Sequence, residues 1–368
     1  MSRPNTPGQA LQALKLPEIW PDRSQSWASR RQELVALLSQ HVYGRMPLEH
    51  GPLEVKILAE DARAFAGKAV QQTVELAVEL PGGRFAFPIQ SIVPYSGRPA
   101  AGFPFFVHIA FRPDVPDKYL PAEEIVDSGY ALLNFCYQDI APDHDDLFVS
   151  GLPALYPAWL EQPDRWGKIA MWAWAASRVL DFAGLEAARG AQFDVNRAAV
   201  VGHSRLGKTA LWAGANDPRF SLVISNDSGC AGAALERYKT GEDVAAITNR
   251  FGYWFGPDYV RYANQPEAMP FDQHFLLAAC APRAVYVASA AEDAWADPDA
   301  EFLSAWAAGS VYPALGYAGL VTENRWPDAD CSLHQGRVAY HRRPGCHYLS
   351  RTDWQRFMTY ANQLAGRS

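Results

Sequence analysis

The chain has 368 residues, 49% of them hydrophobic and 20% charged, with a formal net charge of −7. That length and apolar content suffice for a large core and exclude a disordered chain, while the acidic balance excludes a protein that holds nucleic acid through a basic surface. Five cysteines (Cys136, Cys230, Cys280, Cys331 and Cys346) form no CxxC pair and no Cys/His cluster at zinc spacing, so neither a disulfide framework nor a metal site is expected.

The opening run MSRPNTPGQALQALKLPEIW lacks the apolar core of a signal peptide, and no apolar run reaches membrane-spanning length. The expectation is a cytoplasmic protein with no membrane partner, or a secreted or periplasmic one if the N-terminus is trimmed. Residues 1–50 read as a helical lead-in: SWASRRQELVALLSQHVYG places Leu34, Leu37 and Leu38 on one face and ends at Gly44. PLEVKILAE, AVQQTVELAVEL and RFAFPIQSIVPY read as strands, the last two joined by the turn signal Pro81-Gly82-Gly83. FPFFVHIAF and YALLNFCY are short apolar runs suited to buried strands. WGKIAMWAWAASRVLDFA is a helix whose apolar side takes Ile169, Trp172, Ala176, Val179 and Ala183 at steps of three and four. Then AAVVG is a strand, LGKTALWAGA a helix, FSLVISND and RAVYVASA strands, Asp297-Pro298 a helix start, and WQRFMTYANQLA the closing helix. Strands alternating with helices predict a mainly parallel sheet with helices on both faces, the early antiparallel strands at one edge. With no internal repeat and no break in composition, residues 1–368 read as one α/β domain.

In such a sheet ligands bind beyond the carboxyl ends of the strands, and VVGHSRLGKTAL puts Ser204 at such an end. Gly202 relieves the crowding of a strand that turns abruptly into a helix, and Gly207 lets that helix approach the sheet. Leu206 stands where the usual Gly-x-Ser-x-Gly signature has its second glycine, so the turn must accept a side chain there. The first free amide of the helix, that of Arg205, is a candidate oxyanion donor, and the Arg205 side chain adds a permanent cation beside it. The second donor is expected from the loop around Ala110 to Arg112. The plainer reading makes Ser204 a helix cap.

A serine nucleophile needs an acid and then a histidine in that chain order. RAVYVASAAEDAWADPDAEF offers Glu292, Asp293, Asp297 and Asp299. Asp293 falls a few residues past the strand and is the chosen acid; Asp297, before Pro298, reads as a helix cap and is the reserve. In RVAYHRRPGCHYLSRTDW, His341 lies within the strand-like run, whereas His347 follows the Pro344-Gly345 turn and is the chosen base. His203, His108 and His274 read as packed or capping residues.

The run GHSRLGKTALW resembles the glucuronoyl esterase family of carbohydrate esterases, whose hallmark Gly-x-Ser-Arg-x-Gly-Lys stands here from Gly202 to Lys208. The resemblance extends through HVYGRMP, WAWAASRVLDF, NDSGCAGAALERYKTGED, FDQHFLLAACAPRAVYVASAAEDAWADP and RRPGCHYLSRTDW. It implies the three-layer α/β-hydrolase fold and cleavage of 4-O-methyl-glucuronic acid esters, the link between xylan and lignin alcohols. It further implies Ser204 as nucleophile, His347 as base, the Arg205 side chain assisting the oxyanion, and Lys208, Glu242 and Trp295 contacting the uronoyl sugar. One departure stands out. Many members carry a glutamate in a Ser-Gly-Glu-Gly turn that can serve as the acid; here the stretch is Ser228-Gly229-Cys230-Ala231. With Cys230 at that place the acid role falls to Asp293, a negative charge is expected to be missing from the pocket rim, and neighbouring Asp227 reads as a poor substitute.

The expected activity is therefore a serine esterase on uronic acid esters through an acyl-enzyme on Ser204, acting on a small-molecule or oligosaccharide ester. A deacetylase of xylan or small acetylated sugars would use the same triad, and a non-catalytic carbohydrate-binding relative would not need it. The mechanism calls for no metal, nucleotide or flavin cofactor.

Overall fold

The computed structural model describes residues 4–47, 50–190 and 192–366; residues 1–3 and 48–49 of the expected lead-in lie outside them. Ten strands form one sheet: β1 (Glu54–Arg63), β2 (Ala69–Leu80), β3 (Gly83–Pro94), β4 (Phe103–Ala110), β5 (Ala131–Cys136), β6 (Phe193–His203), β7 (Leu222–Asn226), β8 (Ala284–Ala290), β9 (Cys331–Leu333) and β10 (Val338–Arg343). Their spatial order is β1-β2-β3-β5-β4-β6-β7-β8-β10-β9. The six strands from β5 to β10 in that order pair in parallel, and antiparallel strands close both edges. The Pro81-Gly82 signal marks a two-residue hairpin, with Leu80 opposite Gly83.

Seven helices of eight residues or more occur among the described residues: α1 (Pro7–Leu14), α2 (Trp27–Leu38), α3 (Lys168–Gly190), α4 (Arg205–Asn216), α5 (Val244–Phe251), α6 (Pro298–Gly309) and α7 (Arg351–Leu364). α1 was not anticipated, although its start is written in the chain: the Thr6 hydroxyl accepts from the Gln9 N–H, the Gln9 side chain reaches back to the Thr6 N–H, and Pro7 fills the first helical position. α2 runs through a single π-helical turn into Gly44, at φ 78°. A Cβ there would overlap the backbone of Arg165 and Trp166, so the expected stop signal is also a point of close approach.

The period-two rule divides the sheet's side chains between two cores. Phe105, Val107 and Ile109 of β4 and Ala198 and Val200 of β6 join the core that contains α3 and α4. Phe106 of β4 and Ala199 and Val201 of β6 join the other, with Trp354 and Phe357 of α7. Both faces are covered, which is why β4, β5, β7 and β8 are buried along their whole length. The five α3 positions picked out by helical spacing are fully buried.

The register aligns the ends that matter. His203 of β6 stands opposite Asn226 of β7, Asn226 opposite Ala288 of β8, and Ala290 of β8 opposite Arg343 of β10. The segments leaving these four strands, which carry Ser204, Asp227, Asp293 and His347, therefore emerge side by side at one edge. No described helix is long and apolar enough to cross a membrane.

Candidate active site

Ser204 occupies the one-residue turn between β6 and α4 with φ 58° and ψ −127°, a conformation that costs free energy in a residue bearing a Cβ. Its N–H is held by the Asn226 carbonyl at 2.8 Å. A Cβ on Gly202 would overlap the Leu206 carbonyl, and one on Gly207 would lie 3.0 Å from Ser228 Cβ and 3.2 Å from the Asn226 carbonyl. Both glycines thus do what the turn requires: the first lets the chain fold back, the second seats α4 on the sheet. Leu206 is fully buried in the helix-side core, so the position of the missing second glycine faces apolar packing rather than a neighbouring strand. The Ser204 side chain does not cap α4. The strain therefore serves no capping bond.

Ser204, Arg205, Lys208, Asp227, Ser228, Gly229, Glu242, Arg250, Phe251, Trp254, Asp293, Trp295, Ala296 and His347 surround one open cleft of about 340 Å³. All seven residues singled out in the sequence are among them. His347 Nδ1 lies 2.5 Å from Asp293 Oδ2, and Asp293 Oδ1 accepts from the Ala296 N–H at 3.2 Å. Burial pushes the Asp293 carboxyl upward, but the hydrogen bond and charge of His347 outweigh it and hold it below its ordinary value. The His347 ring, 44% exposed, lies tilted with its centre 4.4 Å from that of the buried His203. His203 itself is bound to Asn226 Oδ1 at 2.6 Å, and burial with the adjacent His347 pushes it down to about 3. It is a neutral floor under His347. His108 (bound to Asn134 at 2.7 Å) and His274 (bound to the Pro17 carbonyl at 3.0 Å) are likewise packed residues. Asp297 caps α6 through the Ala300 N–H at 3.0 Å and also holds Thr240.

One expectation is corrected. Cys230 is not on the rim: it is fully buried, with Sγ 3.3 Å from Glu236 Oε2. The exchange expected to strip the pocket of a charge sits beneath the turn, beside a buried carboxylate. Asp227, read as a poor substitute for the acid, also lines the cleft, and its carboxylate comes within 4.8 Å of the facing atoms of both Asp293 and His347. Its oxygens are already engaged, Oδ1 by the Ala290 N–H at 2.6 Å and Oδ2 by Arg343 and the Tyr348 N–H at 3.4 Å. Burial, the Glu301 charge and, to a lesser degree, Asp293 push its carboxyl well up despite Arg343. Of two adjacent acids, then, Asp293 is the one that the histidine holds down, and Asp227 the one that burial pushes up. The second oxyanion donor is expected from the loop after β4, whose Ala110 and Arg112 are not among the residues around the cleft. Arg112 pairs with Asp117, and only Phe111 approaches, with its ring 5.5 Å from the Arg205 guanidinium.

Asp227, Asp293 and His347 are the one trio among the described residues with ligand atoms close enough for a metal ion. Their facing atoms are committed to one another and to backbone N–H groups, which leaves no open donor set. The Lys208 ammonium is buried and donates to the Ser228 carbonyl, and burial pushes its pKa down. That bond fixes the ammonium in place beside the cleft. Glu242 is anchored by its N–H on the Trp295 carbonyl at 2.9 Å, while the Trp295 side chain is 59% exposed at the mouth. Across the cleft, Phe251 and Trp254 stack at 3.9 Å and 2°, an aromatic wall that the sequence did not single out.

A family model described as glucuronyl esterase, fungi, matches residues 86–316. A protein named carbohydrate esterase MZ0003, from an unknown prokaryotic organism, is 41% identical over 244 residues, 65% of this chain and about half (55%) of its own length. The 4-O-methyl-glucuronoyl methylesterase 1 of Phanerochaete chrysosporium is 30% identical over 358 residues, 88% of this chain and 68% of the relative. Among solved structures, a promiscuous CE15 esterase from a marine bacterial metagenome superposes with a TM-score of 0.83 at 31% identity, over 95% of this chain and 96% of its own. With its elbow serine, its ten-stranded α/β-hydrolase sheet and these relatives, the chain belongs to the glucuronoyl esterase family.

Proposed function

We propose that this protein is a serine esterase that hydrolyses uronic acid esters, 4-O-methyl-glucuronoyl esters among them, through an acyl-enzyme on Ser204. The observation that carries this reading is the 2.5 Å pairing of His347 Nδ1 with Asp293 Oδ2 on the cleft that Ser204 also lines. With Nδ1 bound to a carboxylate, Nε2 is the free basic nitrogen of the ring. It takes the Ser204 proton as Oγ attacks the ester carbonyl, then passes it to the departing alcohol. Water, activated by the same nitrogen, releases the uronic acid and restores Ser204. The oxyanion meets the Arg205 N–H at the start of α4, and the Arg205 guanidinium, which lines the same cleft, assists it.

Names carried by relatives support the uronoyl part: several are 4-O-methyl-glucuronoyl methylesterases. In this reading Lys208 and Glu242 bind sugar hydroxyls and Trp295 lies against the pyranose ring. The test is hydrolysis of benzyl glucuronate, with Ser204→Ala as control. The reading predicts turnover that vanishes in the variant. Preference for acetylated xylo-oligosaccharides, undiminished in Lys208→Ala and Glu242→Ala, would make the chain a deacetylase instead.

A further inference from the structure

We propose that Asp143 is the positioning residue for Arg205: a saturated carboxylate that holds the guanidinium at the cleft so that it meets the oxyanion without reorganising. The inference rests on the reading of Arg205 as an oxyanion donor.

The charged anchor of Arg205 is Asp143. Its Nη1 donates to Asp143 Oδ2, the Tyr137 hydroxyl bonds the same guanidinium, and its Nε is buried with no partner. Packing supplies the remaining restraint: the guanidinium carbon lies 4.9 Å from the Trp254 ring centre, 5.5 Å from Phe111 and 5.8 Å from Phe251. A free arginine loses about 2 kcal/mol of rotamer entropy on being fixed. If that cost fell at the moment of reaction, it would add to the barrier.

Asp143 is itself fixed by groups that leave it no other role. Its side chain is 7% exposed. Besides Arg205, Oδ2 accepts from the Tyr137 hydroxyl at 2.8 Å, and Oδ1 accepts from Trp254 Nε1 at 2.6 Å and the Tyr253 hydroxyl at 3.2 Å. Trp254 therefore acts twice, bonding the carboxylate and covering the guanidinium. The loop carrying Asp143 is tied down in turn. Lys168, fully buried at the start of α3, donates at 2.6 Å to the Pro142 and His144 carbonyls and to Asp146 Oδ1. With its lone pairs filled by four donors, Asp143 is not set up to exchange protons with substrate. Its contribution is orientation, through one nitrogen of a side chain that still lines the cleft.

The experiment is a double-mutant cycle of Asp143→Asn and Arg205→Ala in the full chain. Asparagine keeps the size and the acceptor facing Trp254, but loses the charge. Two rates are read: kcat and KM on benzyl glucuronate, and phosphonylation of Ser204 by a fluorophosphonate, which needs the oxyanion donors but no sugar. Asp143→Asn alone should lower kcat and the phosphonylation rate by about 10- to 100-fold, with KM changed less than about twofold. In the Arg205→Ala background it should cost less than about twofold, because the group it positions is gone. Methylguanidinium should restore part of the rate to Arg205→Ala, and less when residue 143 is also changed. Equal losses with and without Arg205, or no loss, would overturn the proposal. A single Arg205→Ala variant with both rates unchanged would instead refute the oxyanion role of Arg205 and take the proposal with it. Failure to hydrolyse glucuronate esters while phosphonylation follows the cycle would leave the positioning role standing and count against the substrate reading alone.

Discussion

Two carboxylates flank the same histidine, and exchanging each for its amide separates their roles. Asp293→Asn keeps the shape but leaves His347 Nδ1, now 2.5 Å from a carboxylate oxygen, facing a neutral amide. That amide can present either its oxygen or its nitrogen, and it cannot balance the imidazolium formed during attack. In a well-known serine protease the equivalent exchange lowers kcat by roughly 10⁴. His347 is 44% exposed, so water screens part of the lost charge here. A fall in kcat of about 10³, or about 4 kcal/mol, is expected. Asp227→Asn should be mild. Its carboxyl is already pushed toward the neutral form by burial and by Glu301, and the amide oxygen can still accept from the Ala290 N–H. A loss of less than about tenfold is expected, since no charge that the reaction uses is removed. The assay is steady-state hydrolysis of benzyl glucuronate by both variants, with circular dichroism to confirm folding. An equal or larger fall in Asp227→Asn would show that the wrong acid has been assigned. The pH behaviour gives an independent check. Asp293 is held below its ordinary value of 3.8, so its contribution to stability is present above that pH and is lost as pH falls through the lower folded-state value. Asp293→Asn should therefore be less sensitive to acid unfolding in that window than the parent.

Three other outcomes follow from the same structure. Glu301 is fully buried beneath the Ser228–Gly229 turn, and burial pushes its carboxyl from 4.5 up to about 7. The folded protein thus keeps a proton that the unfolded chain releases, and stability falls as pH rises from 4.5 to about 7, by about 3 kcal/mol for this group. Urea denaturation of Glu301→Gln at pH 5 and pH 8 should show a shallower pH dependence than the parent, and parallel slopes would count against it. Gly202→Ala forces a Cβ into the Leu206 carbonyl; it should destabilise by about 3 kcal/mol or more and abolish phosphonylation of Ser204, whereas Gly207→Ala, with its nearest contact at 3.0 Å, should cost less in the same thermal melts. Trp295→Ala removes a ring that is 59% exposed, so the melting temperature should stay within about 1–2 °C while KM for glucuronate esters rises severalfold; an unchanged KM would take Trp295 out of the sugar site.

The sheet was legible because its signals are local. Apolar runs bounded by turn residues marked β2 to β8, and a three-and-four spacing marked α3, since each element must bury a face to be stable. The elements that escaped lack that signal. β9 spans three residues, Cys331–Leu333, none of them buried, and is defined only by its pairing to β10. α1 buries only Pro7 and Ala10, so its signal lies in the capping box of Thr6, Pro7 and Gln9 rather than in an apolar run.

The site divides along the same line. Ser204, Asp293 and His347 could be found because each follows a strand end, and strand ends meet at one edge whatever their separation in the chain. Which acid the histidine meets is not a property of any strand end. Asp227 and Asp293 leave adjacent strands, β7 and β8, and both reach the cleft. What separates them is whether their lone pairs are already spent: Asp227 gives its own to Ala290, Arg343 and Tyr348, and Asp293 keeps Oδ2 for His347. Asp143 was invisible for a related reason. In APDHDDLF it is one of three aspartates within four residues, and only the fold aims Arg205, Tyr137 and Trp254 at that one. Hydrophobic pattern decides where a catalytic strand end can be. The hydrogen bonds that complete the site are made by partners up to 121 residues away, as with Asp227 and Tyr348, and no spacing within one segment announces them.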